Sequence, residues 1–245
     1  MIARFEELDW QSTPLGDLTL RRRNEPAVGH EIYEVKLGDE YLMSSLFTVA
    51  EEALATLGLD ATSGSGLNVL VGGLGLGYTA VAALRDERAG ILTVGALTVI
   101  DRLAAVIRWH ERRLLPVSTE LVDDPRTALV CDDFFAVMRM PPPTDAMGYD
   151  AILLDVDHSP RHQLDPSHGA LYSADGMRSL DRHLVDGGVF ALWSDDPPDA
   201  AYMAVLRGVF DDAEAHVIDF ANAVTGGTSS NTVYVARSRR RGPLT

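Results

Sequence analysis

The segment YDAILLDVDHSP sets Asp155 and Asp157 two residues apart, directly after four apolar residues. In an extended chain alternate side chains share a face, so the pair is expected to project together. Two carboxylates at a strand mouth can hold an ammonium group and bring its nitrogen up to an electrophile. One of them can also accept a proton from that nitrogen. Asp155 and Asp157 are therefore the candidate catalytic residues. Asp, Ser and Pro equally make turns, which is the competing use of this segment. His158 reads as a loop residue. His162, His168 and His183 follow nearby without metal-ligand spacing, so no metal is expected.

A second cluster lies upstream, in LNVLVGGLGLGYTAVAAL. An apolar run meets Gly72, Gly73, Gly75 and Gly77 and then reads as a helix. Glycines permit close backbone approach to a ligand, and in open α/β sheets ligands sit beyond the carboxyl ends of the strands. Glycines at alternate positions do not match G-x-G-x-x-G, and no G-K-[ST] follows. The competing reading is a tight turn that packs helix on strand. The next strand ends in Asp101, placed to accept from both ribose hydroxyls or to cap the following helix. The third ends in Asp132-Asp133, where one carboxylate can accept from an adenine amino group and the other can cap a helix. Together these form a nucleoside clamp without a triphosphate site, and a sulfonium nucleoside fits it. Tyr172 and Trp193 fall near strand mouths, as pocket walls for a cation or an adenine or as core. Pro197-Pro198 stiffens a loop beside them.

These residues need a frame. To about Met43 the chain reads as β-rich, with GDLTLRRR and HEIYEVKLGDEYLM as strand-like runs, and SLFTVAEEALATLGL has helical spacing. From Leu67 onward strands alternate with helices, which argues an α/β fold with a Rossmann-like, doubly wound, mainly parallel sheet. EAHVIDF and NTVYVAR close it, with only TGGTSSN between them, so the last strand is expected to run antiparallel. In ILTVGALTVID, Gly95 leaves the start of the strand early or late. The expected organisation is an N-terminal β-hairpin region and linking helix over 1–59, a linker over 60–66, a catalytic domain over 67–238 and a basic tail over 239–245.

The 245 residues carry a formal charge of −15 and are 46% hydrophobic. Such a chain can bury a substantial core, and a negative field disfavours nucleic acid while attracting small cations. No apolar stretch approaches the ~20 residues of a membrane span. The N-terminus lacks an apolar signal core, so a cytoplasmic location is expected. Cys131 is the single cysteine, which excludes an internal disulfide framework.

The order and spacing of VLVGGLGLGYTAVAAL, TVIDRLAAVIRWHE, DDPRTALVCDD, YDAILLDVDHSP, LYSADGMRSLDRHLVDGGVFALWS and NTVYVAR resemble the spermidine synthase-like proteins, a branch of the class I methyltransferase-fold superfamily. The resemblance runs from about Leu42 to Arg237. It implies a small N-terminal β domain before a seven-stranded Rossmann-like sheet, commonly in a homodimer. It implies transfer of an aminopropyl group from decarboxylated S-adenosylmethionine to a small cationic amine such as putrescine, leaving methylthioadenosine. By the same resemblance Gly73 and Gly75 line the nucleoside, Asp101 is the ribose acid, Asp132 the adenine-side Asp and Asp155 the residue that orients or deprotonates the amine. Three motifs depart from that pattern. The Asp of G-G-G-D-G-G, which holds the aminopropyl ammonium, is Gly75 here. The Tyr-His pair of the preceding helix is missing from TVAEEALA, and D-S-T-D-P is DVDHSP. Methyl transfer from S-adenosylmethionine and a non-catalytic nucleoside-binding role are therefore the alternatives.

Overall fold

A computed structural model describes residues 5–13 and 16–240 of the chain; part of the expected basic tail, 241–245, lies outside the described residues. Four antiparallel strands come first: β1 (Glu6–Thr13), β2 (Gly16–Glu25), β3 (His30–Leu37) and β4 (Glu40–Ser44), paired in that order. The run HEIYEVKLGDEYLM is thus two strands, folded at a turn over Gly38 and Asp39. β1 carries no clear apolar alternation. It is fastened instead from the side, by the buried Trp109 indole donating to Asp9 Oδ2 at 2.6 Å.

Helix α1 (Val49–Asp60) follows and lies on the larger sheet, with Leu54, Ala55 and Leu59 buried. That sheet contains β5 (Leu67–Gly72), β8 (Val94–Asp101), β9 (Thr127–Cys131), β10 (Tyr149–Leu154), β11 (Leu184–Ser194), β12 (Asp212–Asn222) and β13 (Gly227–Arg237); β6 (Glu87–Arg88) and β7 (Ile91–Leu92) form a separate small ribbon. The seven strands run in the order β12-β13-β11-β10-β5-β8-β9. β5, β8, β9, β10 and β11 pair in parallel, and β13 is antiparallel to both of its neighbours. The expected α/β class, seven-stranded sheet and antiparallel last strand are all present.

β5 and β10 are buried almost throughout, as central parallel strands covered on both faces must be. Helices α2 (Tyr78–Arg85), α3 (Ala104–Glu111), α4 (Ser118–Asp123), α5 (Phe134–Arg139), α6 (Ala174–Asp181) and α7 (Ala200–Val209) supply the cover together with α1. One apolar cluster joins Leu18, Leu20 and Val35 of the small sheet to β5, α1 and α3. β8 begins at Val94, so Gly95 lies inside the strand. A Cβ there would stand 2.7 Å from the Gly66 carbonyl oxygen, a backbone approach only glycine permits. α6 ends at Asp181 and β11 starts at Leu184, so Gly187 and Gly188 lie within the first half of that strand. No helix among the described residues is long and apolar enough to cross a membrane.

Candidate functional site

Strand register brings the candidate residues together. Gly72 pairs with both Ile100 and Leu154, and Asp101 pairs with Cys131, so four strands end level. Just beyond them the backbone continues the ladder. Gly73 N donates to Ile100 O at 2.9 Å, Asp132 N to Asp101 O at 3.2 Å, and Asp155 N to Gly72 O at 2.8 Å. Above this rim lies a cavity of about 1100 Å³. A space of that size holds a nucleoside with a side chain attached.

Gly73, Gly75 and Gly77 line the cavity, while Gly72 faces the core against Phe134. Gly73 is the position that admits no alternative. Its φ is +93°, and a Cβ would fall 2.0 Å from the Asp155 carbonyl oxygen. The glycine thus lets β5 and β10 end side by side and sets the height of Asp155. Gly77 opens α2 in a left-handed conformation, with His110 packed where its Cβ would be. Gly75 has its open side toward Met43 of β4, whose sulfur would lie 3.1 Å from a Cβ.

Asp101 is half-buried and holds this turn. Oδ2 accepts from the Leu74 and Gly75 amides at 3.0 and 3.4 Å, and Oδ1 accepts from Leu103 at 2.7 Å. Burial pushes its carboxyl up, and the three amides oppose the shift. Two oxygens have about four acceptor sites, so one remains for a ligand hydroxyl. From behind, His110 Nε2 lies 3.0 Å from the Gly75 carbonyl oxygen and Nδ1 lies 3.2 Å from Ser118 Oγ. The carbonyl can only accept, so Nε2 carries the hydrogen and Nδ1 accepts from Ser118. Burial holds His110 below its usual range, and the neutral ring is the form this arrangement uses.

At the end of β9, Asp133 lines the cavity and caps α5, its Oδ1 accepting from the Ala136 amide at 3.0 Å. Asp132 is exposed and outside the cavity lining; its Oδ1 accepts from the Asp133 amide at 2.7 Å. Trp193 lines the cavity near the β11 end, and Tyr172 is buried behind the wall.

Asp155 lines the cavity, and Thr79 Oγ1 donates to its Oδ2 at 2.8 Å. Asp157 does not join it. β10 ends at Leu154, so the alternation of side chains that would pair the two acids stops there. Asp157 is buried, accepting from the Leu164 amide, His168 Nδ1 and the Tyr172 hydroxyl at 2.8, 2.8 and 2.7 Å. The acid that does reach Asp155 comes from α1. Glu51 lines the same corner of the cavity, with its carbonyl oxygen 3.3 Å from the Thr79 hydroxyl. Burial raises both carboxyls, Glu51 to about 8 with the Asp155 charge as a further cause, and Asp155 to about 6 against the Thr79 hydrogen bond. Two carboxyls held high by burial thus face one part of the cavity. Such a corner favours a cation. Sequence reasoning missed Glu51, although one signal existed: Leu54, Ala55 and Gly58, three, four and seven residues on, are the buried face of α1, so Glu51 is an acid on an apolar stripe.

No family model matches the chain, and no curated protein matches it. Among solved structures, the chain is similar to spermidine synthase from Thermotoga maritima, with a TM-score of 0.69 and 16% identity over 96% of this chain and 73% of that one. The fold is that of the spermidine synthases. A second spermidine synthase, in complex with the transition state analogue AdoDATO, has a TM-score of 0.70 and 17% identity over 96% of this chain and 74% of that one. Within the spermidine synthase fold this chain presents the glycine turn, Asp101, Asp133, Asp155 and Glu51 around one cavity.

Proposed function

We propose that the protein is an aminopropyltransferase-like enzyme that takes decarboxylated S-adenosylmethionine and moves its aminopropyl group to an amine. The observation that carries this reading is the Glu51–Asp155 pair beside the glycine turn. The donor's chain ends in an ammonium, and the acceptor amine is cationic before it reacts. Both find opposite charge in that corner. S-adenosylmethionine would bring a carboxylate to the same place, against two acids. Gly75 removes one acidic side chain from the turn, which favours methyl transfer, but Glu51 offers a second carboxyl from α1 that a bound cation ionises. The spermidine synthase neighbour solved with AdoDATO supports the same donor class.

In this reading Asp101 takes the ribose, and the backbone around Gly73 and Gly75 lies along the nucleoside. Asp155 orients the attacking nitrogen and accepts its proton. A carbon–nitrogen bond forms at the methylene beside sulfur as the carbon–sulfur bond breaks. The bonding pair passes to the sulfonium, which leaves as the neutral thioether methylthioadenosine. The sulfonium already activates that carbon, so the protein's work is positioning and desolvation. Asp155, raised by burial to about 6, is ionised enough near pH 7 to act as base and close enough to that pH to be effective. Incubation with decarboxylated S-adenosylmethionine and a panel of diamines tests the proposal. Methylthioadenosine formed in step with amine consumption supports it, and binding without turnover on every amine favours the non-catalytic role.

A further inference from the structure

Asp157 and His168 form a unit that the proposed transfer does not use. The side chains are almost closed to solvent, with exposures of 0% for Asp157 and 7% for His168. Asp157 does not line the cavity, but His168 does. A carboxylate can only accept, so the imidazole nitrogen facing it, Nδ1 at 2.8 Å, carries the hydrogen. In the neutral ring Nε2 is then a bare acceptor. With Nδ1 turned back to Asp157 behind the wall, the edge bearing Nε2 is the one turned to the cavity. Among the described residues Nε2 has no hydrogen-bond partner. The ring is fixed in its plane by Phe135, stacked at 3.6 Å between centroids and 7° between planes.

Position decides what this acceptor meets. Phe135 lies in the first turn of α5, just past β9, at the edge of the sheet. The loop that carries His168 leaves β10 but crosses toward that edge, where Asp165 meets Arg102 at 3.4 Å. The acid corner of Glu51 and Asp155 lies at the opposite side, with the glycine turn and Asp101 between. A nucleoside with its charged chain in that corner and its ribose on Asp101 brings its base to His168. Two carboxylates also line this end: Asp133 spends one oxygen on the α5 cap, and Asp165 accepts from the Ser167 amide and from Arg102.

We propose that His168, held by Asp157, reads the 6-amino group of the base, so that the cavity takes 6-amino purine nucleosides and rejects their 6-oxo counterparts. The inference rests on the nucleoside reading above. An adenine amino group donates to the bare Nε2. A 6-oxo purine sets an oxygen against the same lone pair and leaves a buried polar group unpaired, the arrangement that discriminates most strongly between otherwise similar ligands. His168 is thus a specificity-determining residue, and Asp157 is the residue that positions it.

Calorimetry at pH 8, comparing methylthioadenosine with methylthioinosine, tests this on the wild-type protein and on His168→Asn. The Asn amide nitrogen can still donate to Asp157 but leaves no acceptor where Nε2 was. The wild type is expected to prefer the adenosine form by about 30-fold or more, and His168→Asn to cut that ratio at least tenfold by weakening the adenosine form alone. Equal wild-type binding of both nucleosides, or a preference for the inosine form, overturns the assignment while leaving nucleoside binding in place. Proportional weakening of both ligands in the variant overturns it too, since a loosened wall would act on both. A wild-type protein that binds neither nucleoside contradicts the nucleoside reading itself, and this inference with it.

Discussion

Thr79 ties Asp155 to the backbone of α1: its hydroxyl lies 2.8 Å from the Asp155 carboxylate and 3.3 Å from the main-chain carbonyl oxygen of Glu51. One hydroxyl hydrogen serves one acceptor at a time. While Asp155 is ionised, Thr79 donates to it. When Asp155 takes a proton, the Thr79 oxygen can receive that O–H and turn its own hydrogen to the main-chain carbonyl of Glu51. The hydroxyl therefore satisfies both protonation states of Asp155, as a residue that accepts and releases a proton requires.

Glu51→Gln keeps the size of the side chain and removes the carboxyl that a bound cation would ionise. Affinity for decarboxylated S-adenosylmethionine should fall by ~1.5–3 kcal/mol, the worth of a hydrogen bond to a charged group. Affinity for methylthioadenosine, which has no ammonium, should not change. Titration calorimetry with both ligands reads this directly, and equal losses would place Glu51 in the support of the cavity rather than at the cation.

A cation entering the corner pulls both raised carboxyls down. At pH 7, between the values of about 6 and about 8, the free pair holds protons that the bound pair must release. Calorimetry in two buffers of different ionisation enthalpy should show up to about one proton released on binding decarboxylated S-adenosylmethionine. None should be released on binding methylthioadenosine, and the release should shrink in Glu51→Gln.

Stability against pH carries two opposed signatures. Glu51 and Asp155 have native pKa values above their ordinary ones, so the native state binds more protons and stability falls as pH rises through about 4 to 8. His110 is shifted the other way. The unfolded chain binds its proton first, so stability falls as pH drops below about 6.5. Denaturant unfolding across this range should show the alkaline slope reduced in Glu51→Gln and the acid slope reduced in His110→Gln. An unchanged acid slope in the latter would remove His110 from the account.

Gly73→Ala forces a methyl group into the Asp155 carbonyl and a side chain into a left-handed φ. Overpacking and backbone strain each cost ~1–3 kcal/mol. The variant should melt well below the wild type and lose turnover even where it still folds, because Asp155 must shift. Gly75→Ala shares the left-handed φ, at +49°, but its methyl meets only the flexible end of Met43 and no backbone, so it should be the milder change. Thermal melts of the two variants side by side check the order.

The parts of this site that could be read from the chain are those built by local pattern. An apolar run, a glycine turn and a helix place the β5 mouth, and acids after the following strands mark Asp101, the Asp132-Asp133 pair and Asp155. Strand register then does the rest without further information from the residues. Asp157 escapes the two-residue alternation because β10 ends at Leu154, and loop donors capture its side chain instead. Asp132 and Asp133 could not be separated by type, since either can cap a helix. Glu51 and His110 reach the site by packing between elements distant in sequence, and for Glu51 the trace was its place on the apolar stripe of α1. β1 left little pattern because its hold comes from Trp109 and its β2 ladder rather than from a buried face.

The central claim is that this cavity grips an adenosine and offers paired acids to a cationic chain on its sulfur. The most direct measurement is the affinity of the ligand-free protein for three related molecules under one set of conditions. Decarboxylated S-adenosylmethionine should bind tightest, methylthioadenosine next and S-adenosylmethionine weakest, because only the last brings a carboxylate to Glu51 and Asp155. Tightest binding of S-adenosylmethionine, with methyl transfer to an acceptor, would contradict the account.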